Sequence, residues 1–279
     1  MSYDNWARSL GLGRDGSLFV EVEGGIRLYD VCLNERLPEA ISIHPEVLMR
    51  PENRHLYHCF LRTLKEVEGV VIHSMYDAHY SAEKGDVVVD AGARIGAFTA
   101  KISAAVGDEG RVIAIEPEPR SHACLLKNIE FNHLGNVTAV QKMLWSRTQS
   151  LDLYLSGNLV SHSAYCDGFY GSTGESLSMQ AETLDNILEE LGIDSVDFVK
   201  MDIEGSEIEA LKGMERTLNS DVRLAIAAYH PVNGVLTHAV LADQLEKLGF
   251  AAVYEEGIVR AQKAAAGGLQ IERSTRKEV

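Results

Sequence analysis

Between residues 86 and 263, short apolar runs alternate with stretches whose apolar residues recur at helical spacing. The run "DVVVDA" (86–91) leads into a helix predicted over 96–105, "RVIAIEP" (111–117) leads into one over 119–133, and "NVTAVQKML" (136–144) reads as a third strand. Further on, "VDFVKMDIEG" precedes a helix predicted over 206–218, and "VRLAIAAYHP" precedes one over 235–248. Apolar runs this short and this continuous fit strands buried on both faces, and strands alternating with helices imply a doubly wound, mostly parallel α/β sheet with right-handed crossovers. The stretch "GFAAVYEEGIVRAQK" holds two short strands around Glu255 to Gly257, an antiparallel hairpin at the sheet edge.

The first 80 residues follow a different pattern. "LFVEVEGGIRLYDV" alternates on both sides of Gly24-Gly25, a two-residue hairpin signal, and after Pro51 the residues Leu56, Phe60, Leu61, Leu64 and Val67 stand at helical spacing. Residues 1–80 are therefore expected to form an α+β extension, a substrate lid or oligomer contact, packed on a main domain over 81–265, with 266–279 as a tail. Residues 146–181 break the strand–helix rhythm: "QSLDLYLSG" alternates like a strand, and "SHSAYCDGFYGSTGES" reads as a loop over the site. Within it His162, Tyr165 and Tyr170 are candidates to touch an acceptor.

Ligands of such sheets bind outside the carboxyl ends of the strands, at the switch point beside the first strand. There the chain reads Asp90, Ala91, Gly92, Ala93, Arg94, Ile95, Gly96, which lacks the middle glycine of a dinucleotide fingerprint and sets an acid at the strand end. An acid repels a pyrophosphate but suits the ammonium and sulfonium of S-adenosylmethionine. Glu116, ending the next strand, is placed to accept both hydroxyls of an adenosine ribose. The competing reading has Asp90 capping the turn and Glu116 merely exposed before Pro117.

These residues, with "VIAIEPEPRSHACLLKNIEFN", "VQKMLWSRTQSLDLYL", "AETLDNIL" and "VDFVKMDIEGSEIEALKGM", resemble in order and spacing the FkbM-type S-adenosylmethionine-dependent methyltransferases, over residues 70 to 250. The most specific piece is Lys200, Asp202, Glu204, Gly205 and Glu207. The resemblance implies a class I methyltransferase (Rossmann-like) fold and methyl transfer to a hydroxyl of a sugar or natural product. It puts Asp90, Gly92 and Gly96 at the methionine end, Glu116 on the ribose, and Met143 and Leu144, at the end of the third strand, along the adenine. Ala93 and Pro117 join this expected cofactor set, and Tyr76, near His73, Ser74 and His79, belongs to a lid over it. One departure is Ala228, where many members carry an acid before the residue pair that ends in His230.

Strand alternation sets Lys200, Asp202 and Glu204 on one side. Asp202 is the first candidate for general base with Lys200 tuning it, and His230 is the second. A divalent metal held by Asp202, Glu204 and His230 is a further, less favoured arrangement, so no metal is expected. The plain structural alternative is a Lys200–Asp202 ion pair with Glu204 and Glu207 complementing a helix start.

Composition narrows the partners. A formal net charge of −15 argues against a nucleic-acid binder and for a small-molecule partner, which the resemblance implies is a hydroxylated substrate. The N-terminal residues show no secretion signal, and no apolar run nears the ~20 residues of a membrane helix, so a cytoplasmic protein is the expectation, with a homo-oligomer as one assembly open to it. Cys32, Cys59, Cys124 and Cys166 form no CxxC pair and read as mostly buried free thiols. An NAD-dependent oxidoreductase and a non-catalytic cofactor-binding module remain the alternatives from other classes.

Overall fold

The computed structural model describes residues 7–12, 18–22, 25–29, 63–156, 161–166, 172–232 and 234–264. Near the N-terminus β1 (Ala7–Leu12), β2 (Leu18–Val22) and β3 (Arg27–Tyr29) form an antiparallel meander. The β2–β3 hairpin lies where expected, but Val22 N–H bonds the Ile26 carbonyl at 2.9 Å, so three residues rather than two separate the paired strands. The helix expected after Pro51 falls on the described residues only from 63 onward; Leu56, Phe60 and Leu61 lie outside them. Residues 63–72 are helical, with Leu64 and Val67 buried, and the last turn, Glu68–Ile72, widens to a π-turn.

The main sheet is built from β4 (Val87–Ala91), β5 (Arg111–Ile115), β6 (Val137–Val140), β10 (Phe198–Met201), β11 (Arg223–Ala227), β14 (Phe250–Glu255) and β15 (Ile258–Lys263). The strand order is β14-β15-β11-β10-β4-β5-β6, and β15 alone runs opposite to the other six strands of this sheet. This is the class I Rossmann-like arrangement, with the expected C-terminal hairpin supplying its reversed strand. Successive side chains of β4 enter different cores. Val88 packs in the core that also holds Phe98, Ile102 and Phe198, and Val89 packs in the core of Ile113, Leu184 and Met201. Both valines have 0% exposure, which is why the run has no polar alternation.

Helices α1 (Ala97–Val106), α2 (Pro119–Phe131), α3 (Leu184–Glu190), α4 (Glu207–Lys212), α5 (Glu215–Asn219) and α6 (His238–Lys247) cover the sheet. α2 starts where Glu118 accepts the Ser121 N–H at 2.7 Å and Pro119 fills the first turn. The single helix predicted over 206–218 is two. A Cβ on Gly213 would lie 2.4 Å from the Trp145 carbonyl, and Asp185 of α3 caps a fresh start by accepting from Arg216 N–H at 2.6 Å and Thr217 N–H at 3.0 Å.

Three other expectations are corrected. Met143–Leu144 does not end β6; it is a separate strand, β7, parallel to β9 (Ser172–Glu182). Residues 146–181 are not chiefly a loop, because β9 pairs antiparallel with β8 (Gln149–Ser156) into a lobe of its own. The helix predicted from 235 begins later, after the short antiparallel pair β12 (Pro231–Val232) and β13 (Val235–Leu236).

The N-terminal meander docks on α2 through two asparagines one helical turn apart. The Asn128 carboxamide accepts from Tyr29 N–H at 2.8 Å and donates to the Tyr29 carbonyl at 3.0 Å and the Ile95 carbonyl at 2.7 Å. Asn132 makes the same double contact with Arg27, at 2.8 and 2.7 Å. Arg27 and Tyr29 are alternate residues, so their outward backbone groups are met as a neighbouring strand would meet them.

Candidate active site

At the carboxyl ends of β4, β5, β10 and β11 lies a cavity of about 430 Å³, within the range of small-molecule sites. The turn after β4 forms its floor, Glu116 to Pro117 and Met143 to Leu144 close one end, and Asp202, Glu204 and Tyr229 close the other. Ser161, His162 and Ala164 cover it from the β8–β9 lobe, and Gly69, Val70 and Tyr76 cover it from the helical segment and the turn that follows it. That segment is pinned by an Arg94–Glu66 ion pair and by Lys101, which donates to Asp77 at 2.8 Å and to the Val70 carbonyl at 3.1 Å.

The floor is shaped by one buried ion pair. Lys200 Nζ donates to Asp90 Oδ1 at 2.9 Å and to the Gly92 carbonyl at 2.7 Å, and Asp90 Oδ2 accepts from Thr99 Oγ1 at 2.6 Å. Burial opposes the ammonium, but Asp90 and Asp202 outweigh it and hold Lys200 above the usual lysine pKa. Gly92 adopts φ +77°, and a Cβ there would sit 1.8 Å from the Asp202 carbonyl oxygen. Glycine is therefore needed for the close approach of β10, whatever ligand binds above it.

At one end Glu116, 8% exposed, accepts the Arg94 N–H and the Glu118 N–H, each at 2.9 Å. Burial pushes its carboxyl up to about 7, against the opposing effect of those donors. The backbone thus fixes both oxygens without neutralising them, leaving lone pairs for ligand hydroxyls.

At the other end three acids surround one imidazole. His230 is 2% exposed; its Nδ1 lies 3.1 Å from Glu207 Oε1, and its Nε2 lies 3.2 Å from Glu204 Oε2 and 3.6 Å from Asp202 Oδ1. Burial opposes protonation of this ring, but the Glu207 contact and the three carboxylates raise it to about 9. Burial likewise raises Glu204 to about 7. Asp202 is held below the usual carboxylate range, because His230, Lys200 and two phenols overcome its burial. Those phenols are Tyr76, donating to Oδ2 at 2.5 Å, and Tyr229, donating to the same oxygen at 3.0 Å. Both are driven far above the usual phenol pKa by burial and the facing carboxylate. Glu204 sits in a left-handed turn, φ +54°, tied down by the Ser163 hydroxyl, which donates to its carbonyl at 2.7 Å.

Of the residues expected from the sequence, Gly92, Ala93, Glu116, Pro117, Met143, Leu144, Tyr76, Lys200, Asp202 and Glu204 border this cavity. Asp90 and Gly96 do not. Asp90 has 0% exposure with both oxygens engaged, and Gly96 backs onto Leu125 beneath α1. His230 stands behind Asp202 and Glu204. In place of the Lys200–Asp202 pair of the plain structural alternative, Lys200 pairs with Asp90. Glu116 is buried, against the reading that left it exposed. His73 and His79 face the exposed acids Glu68 and Glu255 rather than the cavity. His162 borders it, and Tyr170 lies outside the described residues. Cys124 is buried and Cys166 exposed, while Cys32 and Cys59 fall outside the described residues. Sequence reasoning missed Tyr229, and it missed the Glu207 contact that orients His230; both are long-range pairings with no local signal.

The family model described as "Methyltransferase FkbM domain" matches residues 90–251, more than half of the chain. "Methyltransferase sdnD" of Sordaria araneosa is 27% identical over 157 residues, covering 46% of this chain and 60% of sdnD, less than two thirds of its length. "Hexuronic acid methyltransferase AglP" of Haloferax volcanii is 28% identical over 173 residues, 60% of this chain and 68% of AglP. Among solved structures, a SAM dependent methyltransferase from Aquifex aeolicus aligns with a TM-score of 0.42 and 16% identity over 80% of this chain and 100% of that one. No described helix is long and apolar enough to cross a membrane.

Proposed function

The chain belongs to the FkbM methyltransferase domain family, and from that membership we propose that it moves the methyl group of S-adenosylmethionine to a hydroxyl of a small molecule. The observation that carries the reading is a single cavity with the buried acceptor Glu116 at one end and the Asp202–Glu204–His230 cluster at the other. In this reading the adenosine hydroxyls bond Glu116, the adenine lies on Met143 and Leu144, and the methionine end runs over Gly92 and Ala93 toward the acids. The acceptor hydroxyl meets Asp202 and Glu204. Its oxygen lone pair attacks the methyl carbon, the carbon–sulfur bond breaks with its electron pair kept by sulfur, and the sulfonium becomes a neutral thioether as the hydroxyl proton passes by way of these acids to solvent. Lys200 acts by holding the turn through Asp90 and the Gly92 carbonyl rather than by touching the acceptor.

The name of AglP supports a sugar acid as the first acceptor class to try. Calorimetry with S-adenosylhomocysteine, followed by transfer of radiolabelled methyl to a panel of sugars and uronic acids, tests the proposal. Binding that Glu116→Gln weakens, together with label in an ether-linked methyl, supports it. Absence of S-adenosylhomocysteine binding at millimolar concentration overturns it.

A further inference from the structure

We propose that Asp202 Oδ1, Glu204 Oε2 and His230 Nε2 hold a divalent cation of the magnesium and manganese class, and that the acceptor binds through it. The part about the acceptor rests on the methyltransferase reading; the cation site stands on its own geometry. The ligand-bearing atoms of the three residues lie within 4.8 Å of one another. His230 Nε2 and Asp202 Oδ1 are buried and make no hydrogen bond among the described residues, although each carries full bonding capacity.

Each of these two groups is also held from behind. Glu207, 0% exposed, meets His230 Nδ1 at 3.1 Å and itself accepts from Ile203 N–H at 3.1 Å, so the ring is locked with Nε2 turned toward the two acids. Asp202 Oδ2 is taken by Tyr76 and Tyr229, which leaves Oδ1, 3.6 Å from His230 Nε2, as the oxygen that accepts no hydrogen bond among the described residues. A carboxylate behind a ligating imidazole and hydroxyls behind a ligating carboxylate are the supports that metal ligands need. Asp202, Glu204 and Glu207 crowd their charge around one ring, a field that attracts a cation.

Two oxygens and one nitrogen suit a hard or borderline divalent ion, and three protein ligands leave coordination positions for other donors. Asp202 and Glu204 border the cavity, so those positions open toward the acceptor. The acceptor class that fits is one with two neighbouring oxygens, a vicinal diol or a hydroxy acid, chelated with one hydroxyl facing the donor methyl. Coordination lowers the pKa of that hydroxyl; its proton passes to solvent, the oxygen forms the new bond to carbon, and the sulfur keeps the electron pair of the broken one.

Manganese(II) titrated into the full chain, free of cofactor, tests the site by calorimetry and electron paramagnetic resonance. One bound ion per chain, spin-echo modulation from an imidazole nitrogen, and at least about tenfold weaker binding in Glu204→Gln are expected. The nitrogen signal is read on the unaltered protein and so needs no variant to fold. Absence of manganese binding, loss of the nitrogen signal, or equal affinity in Glu204→Gln overturns the proposal. S-adenosylhomocysteine affinity, measured separately, reports on the methyltransferase reading, so either can fail while the other stands.

Discussion

Asp90 and Lys200 are among the most buried charges of the chain, and their worth lies in each other. Removing one partner leaves an uncompensated charge, so Asp90→Asn and Lys200→Met are each expected to cost about 3–5 kcal/mol, with much of that recovered in the double variant. Urea denaturation of the three proteins checks this, and a loss below about 1 kcal/mol for Asp90→Asn would show that the pair does not hold the turn. Glu116 carries a different expectation, because it titrates at about 7 in the free chain. If ligand hydroxyls bind its ionised form, a proton must leave before binding at low pH. Affinity for S-adenosylhomocysteine should then fall by up to about tenfold per pH unit below 7 and level off above it. Glu116→Gln should bind weakly with no such slope, which calorimetry from pH 5.5 to about 8.5 would reveal.

The turn after β4 depends on backbone contact as well as charge. Gly92→Ala would drive a methyl group into the Asp202 carbonyl, so a loss of more than about 3 kcal/mol or an insoluble protein is expected. Gly192→Ala is the control: φ is +65° there, but nothing lies within 4 Å of the added Cβ, and the cost should stay near 1 kcal/mol. Thermal melts of the two variants separate close approach from backbone strain. The strands of the main sheet were legible because each is buried on both faces and therefore continuously apolar, as Val87 to Val89 illustrate. The breaks were not. Gly213 ends α4 because Trp145 presses on it, Asp185 starts α5 from another helix, and β7 leaves β6 to follow β9; none of these contacts is local in sequence. The site divides in the same way. Glu116 and Asp202 stand at strand ends that the pattern locates, whereas Tyr76 reaches Asp202 across 126 positions and His230 depends on Glu207 for its orientation.

At the scale of the whole molecule, the meander and the Rossmann-like sheet are joined through α2. Asn128→Ala would strip partners from the Tyr29 and Ile95 backbone groups at once, and a loss of about 2–4 kcal/mol is expected. Proteolysis should then cut near residues 25–29 before the main domain opens; simultaneous cleavage of both would contradict the assignment of this joint. The double asparagine contact has one more consequence. An outermost strand is a template on which a foreign chain can extend a sheet, and proteins commonly blunt such margins with charge or proline. Here carboxamides already occupy the outward N–H and C=O groups of Arg27 and Tyr29, so the side of β3 that faces α2 is closed to strand addition and to fibre growth.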